Sequence, residues 1–186
     1  MNHTLDATRS ALVLVDFQQR LMPAIHRGDT VVAEALCLAR VAGELAIPII
    51  CTEQNPAGLG PNMPALRERC DVTVSKMSFD ACADGLVQQL ARRLPDGGDV
   101  VIAGCEAHVC LMQTALGLLR AGFPLWVVAT ASGSRSSQDH ALAMERLGRA
   151  GAILASVEMV AFEWMRTCRH ERFRPVLDLL KARPLV

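Results

Sequence analysis

The chain lacks a charge of either sign in excess: 19 basic residues balance 19 acidic ones, for a formal net charge of zero over 186 residues. A protein without a one-sided electrostatic field has no sequence-level reason to seek nucleic acid or anionic lipid, so neither is expected as a partner. Long apolar runs are missing too. The N-terminal one, residues 11–15, stops at Asp16, too short for the core of a signal peptide or for a membrane span. The seven cysteines are odd in number, irregularly spaced and without a CxxC pair, which argues against a disulfide framework and against a zinc ribbon. Cys37 and Cys51 then read as small core residues, and a reducing compartment, the cytoplasm, is expected. Lysine is scarce: Lys76 and Lys181 stand against 17 arginines. A mid-chain lysine where arginine is the habit singles out Lys76, because an ammonium can retune its pKa on burial and a guanidinium stays charged.

What is present is alternation. A chain of this length, 51% hydrophobic, fits one domain over residues 1–186. Apolar runs at residues 10–16, 47–52, 71–76, 99–104, 124–130 and 151–156 read as six strands, and their near-continuous apolar character suits strands covered on both faces. Helical patterns lie between them at 30–46, 84–94, 109–122 and 137–151. Near residue 157 a further helix starts and is expected to run on toward the C-terminus. Gly122 and Gly151 stand where a left-handed residue ends a helix, and Ser136 with Asp139 resembles a capping box. The alternation implies right-handed crossovers and a doubly wound α/β sandwich: a six-stranded parallel sheet with helices on both faces. Residues 53–65, rich in Pro, Gly and Asn, read as a long loop, and loops of that length are usually functional.

Ligands of open parallel sheets bind beyond the carboxyl ends of the strands. Asp16 and Lys76 each end a strand run, and Cys110 sits one turn beyond another, in GCEAHVC. Each residue has a plain alternative: Asp16 as a cap, Lys76 as a solvated lysine, Cys110 as packing. His108, two residues before Cys110, points about 200° away on a helix and is a poor activator of it. A helix N-terminus favours thiolate over thiol, so Cys110 is expected to ionise below the ordinary thiol range. Cys105 is the competing nucleophile.

Asp in DFQ (16–18), Lys in SKMSFD (75–80) and Cys in GCEAHVC (104–110) together resemble the isochorismatase-like cysteine hydrolases, over residues 8–165. TEQNPAGLGPNMPAL (52–66) and SRSSQDHALAMERLGRAGA (134–152) extend the likeness to the isochorismatase-domain-containing subgroup. The resemblance implies a catalytic triad of Asp16, Lys76 and Cys110, with a non-proline cis peptide at Cys105–Glu106. It also implies an oxyanion hole made by the backbone amides of Glu106 and Cys110. The implied activity is cofactor-free hydrolysis of an amide-type bond in a small molecule through a Cys thioester. Residues 53–65 hold no His or Asp, so the metal site of nicotinamidases is not expected, and no metal or other cofactor is.

Gln18, Phe17, Phe79 and His108 are the candidate substrate contacts, with Glu106 facing the site if the cis turn forms. The apolar residues Val160, Phe162, Trp164 and Met165 suggest a subunit interface, and the resemblance implies a homo-oligomer. Two other readings stay open: a non-catalytic oligomeric scaffold, and a hydrolase of vinyl ethers, whose anionic substrate favours a basic pocket.

Overall fold

The computed structural model describes residues 4–183. Six strands form one parallel sheet: β1 (Ser10–Val15), β2 (Ile49–Gln54), β3 (Val72–Lys76), β4 (Asp99–Gly104), β5 (Leu125–Val128) and β6 (Ile153–Ala155). Their spatial order is β3-β2-β1-β4-β5-β6. The chain therefore winds outward from β1 to one edge, returns to pair β4 with β1, and winds outward to the other. Adjacent connections leave in opposite directions at the β1/β4 junction, so a crevice opens there at the carboxyl end. Register puts Val15 beside both Thr52 of β2 and Gly104 of β4.

The side-chain period of two sorts the strand residues between two cores. Leu12, Leu14, Cys51, Val101, Ala103 and Trp126 pack with helices α1 (Gly28–Glu44), α7 (Val157–Met165) and α8 (Phe173–Lys181). Val13, Val15, Ile50, Ile102 and Val127 face α4 (Leu86–Arg93), α5 (Met112–Arg120) and α6 (Ser137–Arg149). Every residue of β1 is buried, each large aliphatic side chain contributing about 1.5–3 kcal/mol. Gly122 and Gly151 do take left-handed φ, 87° and 101°, just past α5 and α6. Ser136 caps α6 by accepting from the Asp139 amide.

Three expectations need correction. Residues 53–65 are not one irregular loop: β2 extends to Gln54, and two single-turn helices, α2 (Pro56–Leu59) and α3 (Pro64–Arg67), follow. Each starts on proline, whose missing N–H is no loss at a first helical position. The C-terminal helix is also interrupted, since Arg166 takes φ 58° after α7 and α8 begins only at Phe173. Finally, Cys51 is not a free core thiol; it is disulfide-bonded to Cys70, with Cα atoms 5.9 Å apart, tying β2 to the turn before β3. That bond removes the support that cysteine usage lends to a reducing compartment. Among the described residues no helix is long and apolar enough to cross a membrane.

Candidate active site

Asp16 follows β1 with φ 54°, a left-handed turn that swings its carboxylate out of the strand line and over the β1/β4 crevice. It is fully buried. Its Oδ2 accepts from Lys76 Nζ at 2.7 Å and its Oδ1 from the Thr52 hydroxyl at 2.5 Å. Lys76, at the end of β3 and 2% exposed, reaches across β2 to meet it. Its ammonium has three donors, and the structure supplies three acceptors: Asp16, the Ser78 carbonyl at 3.3 Å and the Phe79 carbonyl at 3.5 Å. A buried ion pair carries a large desolvation penalty and is weak ground for stability, so its presence in a crevice points to function.

Cys110 comes to the same place from β4. Gly104 allows this: its φ is 155°, and a Cβ there would lie 2.3 Å from the Val15 carbonyl oxygen. The Cys105–Glu106 peptide is cis, and Ala107–Leu111 then forms a π-helical turn running straight into α5. The segment after β5 holds that turn in place, Gly133 accepting from the Ala107 amide at 2.7 Å and donating to Gly104 at 3.1 Å. Within the turn the Glu106 carbonyl accepts from Val109 and Leu111. The Cys110 thiol, 6% exposed, lies close enough to Asp16 and Lys76 for both to act on its charge.

The charge on that sulfur differs from expectation. The Cys110 thiol is pushed up to about 12, by burial first and by the Asp16 carboxylate second, with Lys76 only partly opposing them. Desolvation outweighs the helix end, because both it and Asp16 disfavour a second negative charge in one crevice. The resting group is a thiol, and its proton must leave as the sulfur attacks. Cys105 is a poorer candidate still: it is fully buried, and burial drives its thiol up strongly.

The candidate substrate contacts divide. Gln18 is a correction: it is fully buried, its amide nitrogen donating to the carbonyls of Gln54 and Gly60 and its oxygen accepting from the Gln54 amide. Both of its N–H donors and one acceptor site go to stapling residues 54–60, which fixes the side chain away from substrate. Phe17 is another, 1% exposed in the core beneath α1. Phe79 is 49% exposed in the turn whose carbonyls hold Lys76, and Met77 is 69% exposed beside it. His108 Nδ1 lies 3.0 Å from Ser134 Oγ, not on Cys110. Glu106 is occupied by Arg135, whose backbone N–H and Nε both donate to one carboxylate oxygen. Thr52 escaped the sequence reading, for a threonine inside an apolar strand carries no signal of its own. Among the described residues no three or more His, Cys, Asp or Glu side chains are grouped to hold a metal ion.

A six-stranded parallel sheet of this strand order, with helices on both faces, has the architecture of the isochorismatase fold. The sequence pattern of the isochorismatase domain matches residues 10–159, and the chain belongs to that family. It is 34% identical over 176 residues to isochorismatase domain-containing protein 2 of Danio rerio, covering 95% of this chain and 89% of that one. Isochorismatase family protein 1B of Dictyostelium discoideum is 30% identical, with 94% and 87% covered. Among solved structures, the MAR1 ribonuclease of Caenorhabditis elegans superposes with TM-score 0.89 at 31% identity over 98% of this chain and 95% of that one. YcaC of Pseudomonas aeruginosa, solved with covalent acrylamide, gives 0.89 at 27% identity, covering 98% and 94%. The Escherichia coli YcaC product, an octameric hydrolase of unknown specificity, gives 0.90 at 25% identity, covering 98% and 92%.

Proposed function

We propose that this chain is a cofactor-free cysteine hydrolase acting on an amide-type bond of a small molecule, with Cys110 as nucleophile, Asp16 as general base and acid, and Lys76 as their electrostatic partner. One observation carries the reading: a buried carboxylate and a buried ammonium, bonded to each other, both neighbour the Cys110 thiol. Asp16 takes the thiol proton as the sulfur–carbon bond forms, and the backbone amides of Glu106 and Cys110 receive the charge on the carbonyl oxygen. Asp16 then gives that proton to the departing amine as the carbon–nitrogen bond breaks. Water, deprotonated by the same carboxylate, cleaves the thioester to an acid, and the proton returns to sulfur. Lys76, bonded to Asp16, offsets the negative charge the site gathers.

Acrylamide, the covalent group in the Pseudomonas YcaC structure, is a thiol-reactive amide, which supports a reactive nucleophile in a fold this similar. The octameric Escherichia coli neighbour supports a homo-oligomer. Vinyl-ether hydrolysis is the weaker alternative, because the residues around the sulfur bring one cation, already paired. RNA cleavage is favoured by nothing beyond the names of structural neighbours such as the Caenorhabditis ribonuclease and is opposed by the balanced charge.

A panel of small amides, carbamoyl compounds and vinyl ethers, quenched in acid and read by intact mass, tests the proposal. An acyl adduct on Cys110 with an amide substrate is expected, absent in Cys110→Ala, with turnover reduced about 10²–10⁴-fold in Asp16→Asn. Turnover of any substrate, RNA included, that survives Cys110→Ala unchanged would overturn it.

A further inference from the structure

We infer that Thr52 is a positioning residue for Asp16, its hydroxyl holding one carboxylate oxygen so that the acid–base group stays aimed at Cys110. The inference rests on the triad reading above and assigns a fourth side chain to it. Thr52 is fully buried in β2, in register with Val15, the residue before Asp16. Its hydroxyl donates to Asp16 Oδ1 while Lys76 donates to Oδ2, so each carboxylate oxygen has a different donor. The same residue fixes the local backbone, its carbonyl accepting from the Asp16 amide at 3.3 Å and from Asn62 Nδ2 at 3.0 Å. Asp16 is thus gripped at main chain and side chain by one strand residue.

The hydroxyl matters because of what else faces the carboxylate. The charged or titratable groups near it are Lys76 from β3, Cys110 from the π-helical turn and Cys105 from the end of β4. Only Lys76 is a cation, and it sits on the far oxygen. A buried carboxylate with one bare oxygen is held by Lys76 alone and can turn away from the sulfur. A misaimed Asp16 cannot take the thiol proton. Valine in place of threonine keeps the shape and the strand preference and removes only the donor, which makes the substitution selective.

The experiment is the pH profile of Cys110 modification by acrylamide, followed by peptide mass spectrometry on the full-length protein. In the native protein the rate should hold a plateau near neutral pH, where Asp16 takes the thiol proton, and rise again at alkaline pH as the thiol ionises unaided. In Thr52→Val the plateau rate should fall by at least about tenfold, the size of a lost hydrogen bond to a charged group, while the alkaline limb stays unchanged. Thr52→Ser, which restores the donor, should return the native profile. Should valine prevent folding, Thr52→Ala measures the same loss. A plateau unchanged in Thr52→Val, while Asp16→Asn erases it, overturns the role of Thr52 and leaves the triad standing. A plateau that survives Asp16→Asn overturns the triad and this inference with it.

Discussion

Lys76 concentrates the site's physics in one side chain. All three of its ammonium protons are committed, and the nearest anion is Asp16 at 2.7 Å with no solvent access to either side chain. Removing one member of such a pair leaves an uncompensated buried charge, which costs about 3–5 kcal/mol, whereas removing both leaves none. Lys76→Met should therefore be strongly destabilised in urea melts, and Asp16→Asn with Lys76→Met should recover much of the loss. Additive losses in that double-mutant cycle would mean that the two groups do not act as a pair. Lys76→Arg should also abolish the neutral-pH plateau of Cys110 modification, because a planar fork cannot take up the three acceptor directions of the ammonium.

At the scale of elements, the site depends on β4 approaching β1 closely at its carboxyl end. Gly104 is in register with Val15, and the clash an added Cβ would meet is with backbone, which has no freedom to move aside. Gly104→Ala should lose at least about 2 kcal/mol and the reactivity of Cys110 with it. Gly43 provides the contrast: it lies in α1 with nothing within 4 Å of where a methyl would stand, so Gly43→Ala should gain up to about 1 kcal/mol in the same melts. Equal effects of the two substitutions would refute the close-approach argument. The strands were legible in the sequence because burial on both faces writes itself as unbroken apolar runs, and β4 is read to the residue. Helix ends were legible at Gly122 and Gly151 through backbone chemistry. The disulfide was not, since Cys51 and Cys70 are 19 residues apart and only the β2–β3 pairing brings them together. Nor was Thr52, whose importance exists only beside Asp16. Asp16, Lys76 and Cys110 stood out through strand ends and through lysine's rarity, yet the raised thiol pKa depends on burial that no local pattern encodes.

For the whole molecule, the open question is what covers its exposed apolar side chains. The sequence attributes an interface to Val160, Phe162, Trp164 and Met165, but Val160, Trp164 and Met165 are buried within the chain, and the Trp164 indole N–H donates to Ser10 Oγ at 3.0 Å. What remains outside on α7 is Met159 and Phe162, 50% and 43% exposed and three residues apart on one face. Apolar side chains are also exposed on β6, an edge strand whose Ile153 and Leu154 are each 36% exposed. Edges left unpaired and apolar are commonly covered by another chain. If the protein assembles as its octameric neighbour does, light scattering should give a multiple of the 20.1 kDa chain mass. Phe162→Glu and Leu154→Lys, placed on exposed positions where the monomer fold does not need them, should each lower that multiple without lowering the melting temperature of the subunit core. A native protein that scatters as a single chain, or variants that keep the native mass, would show that these patches are not where copies meet.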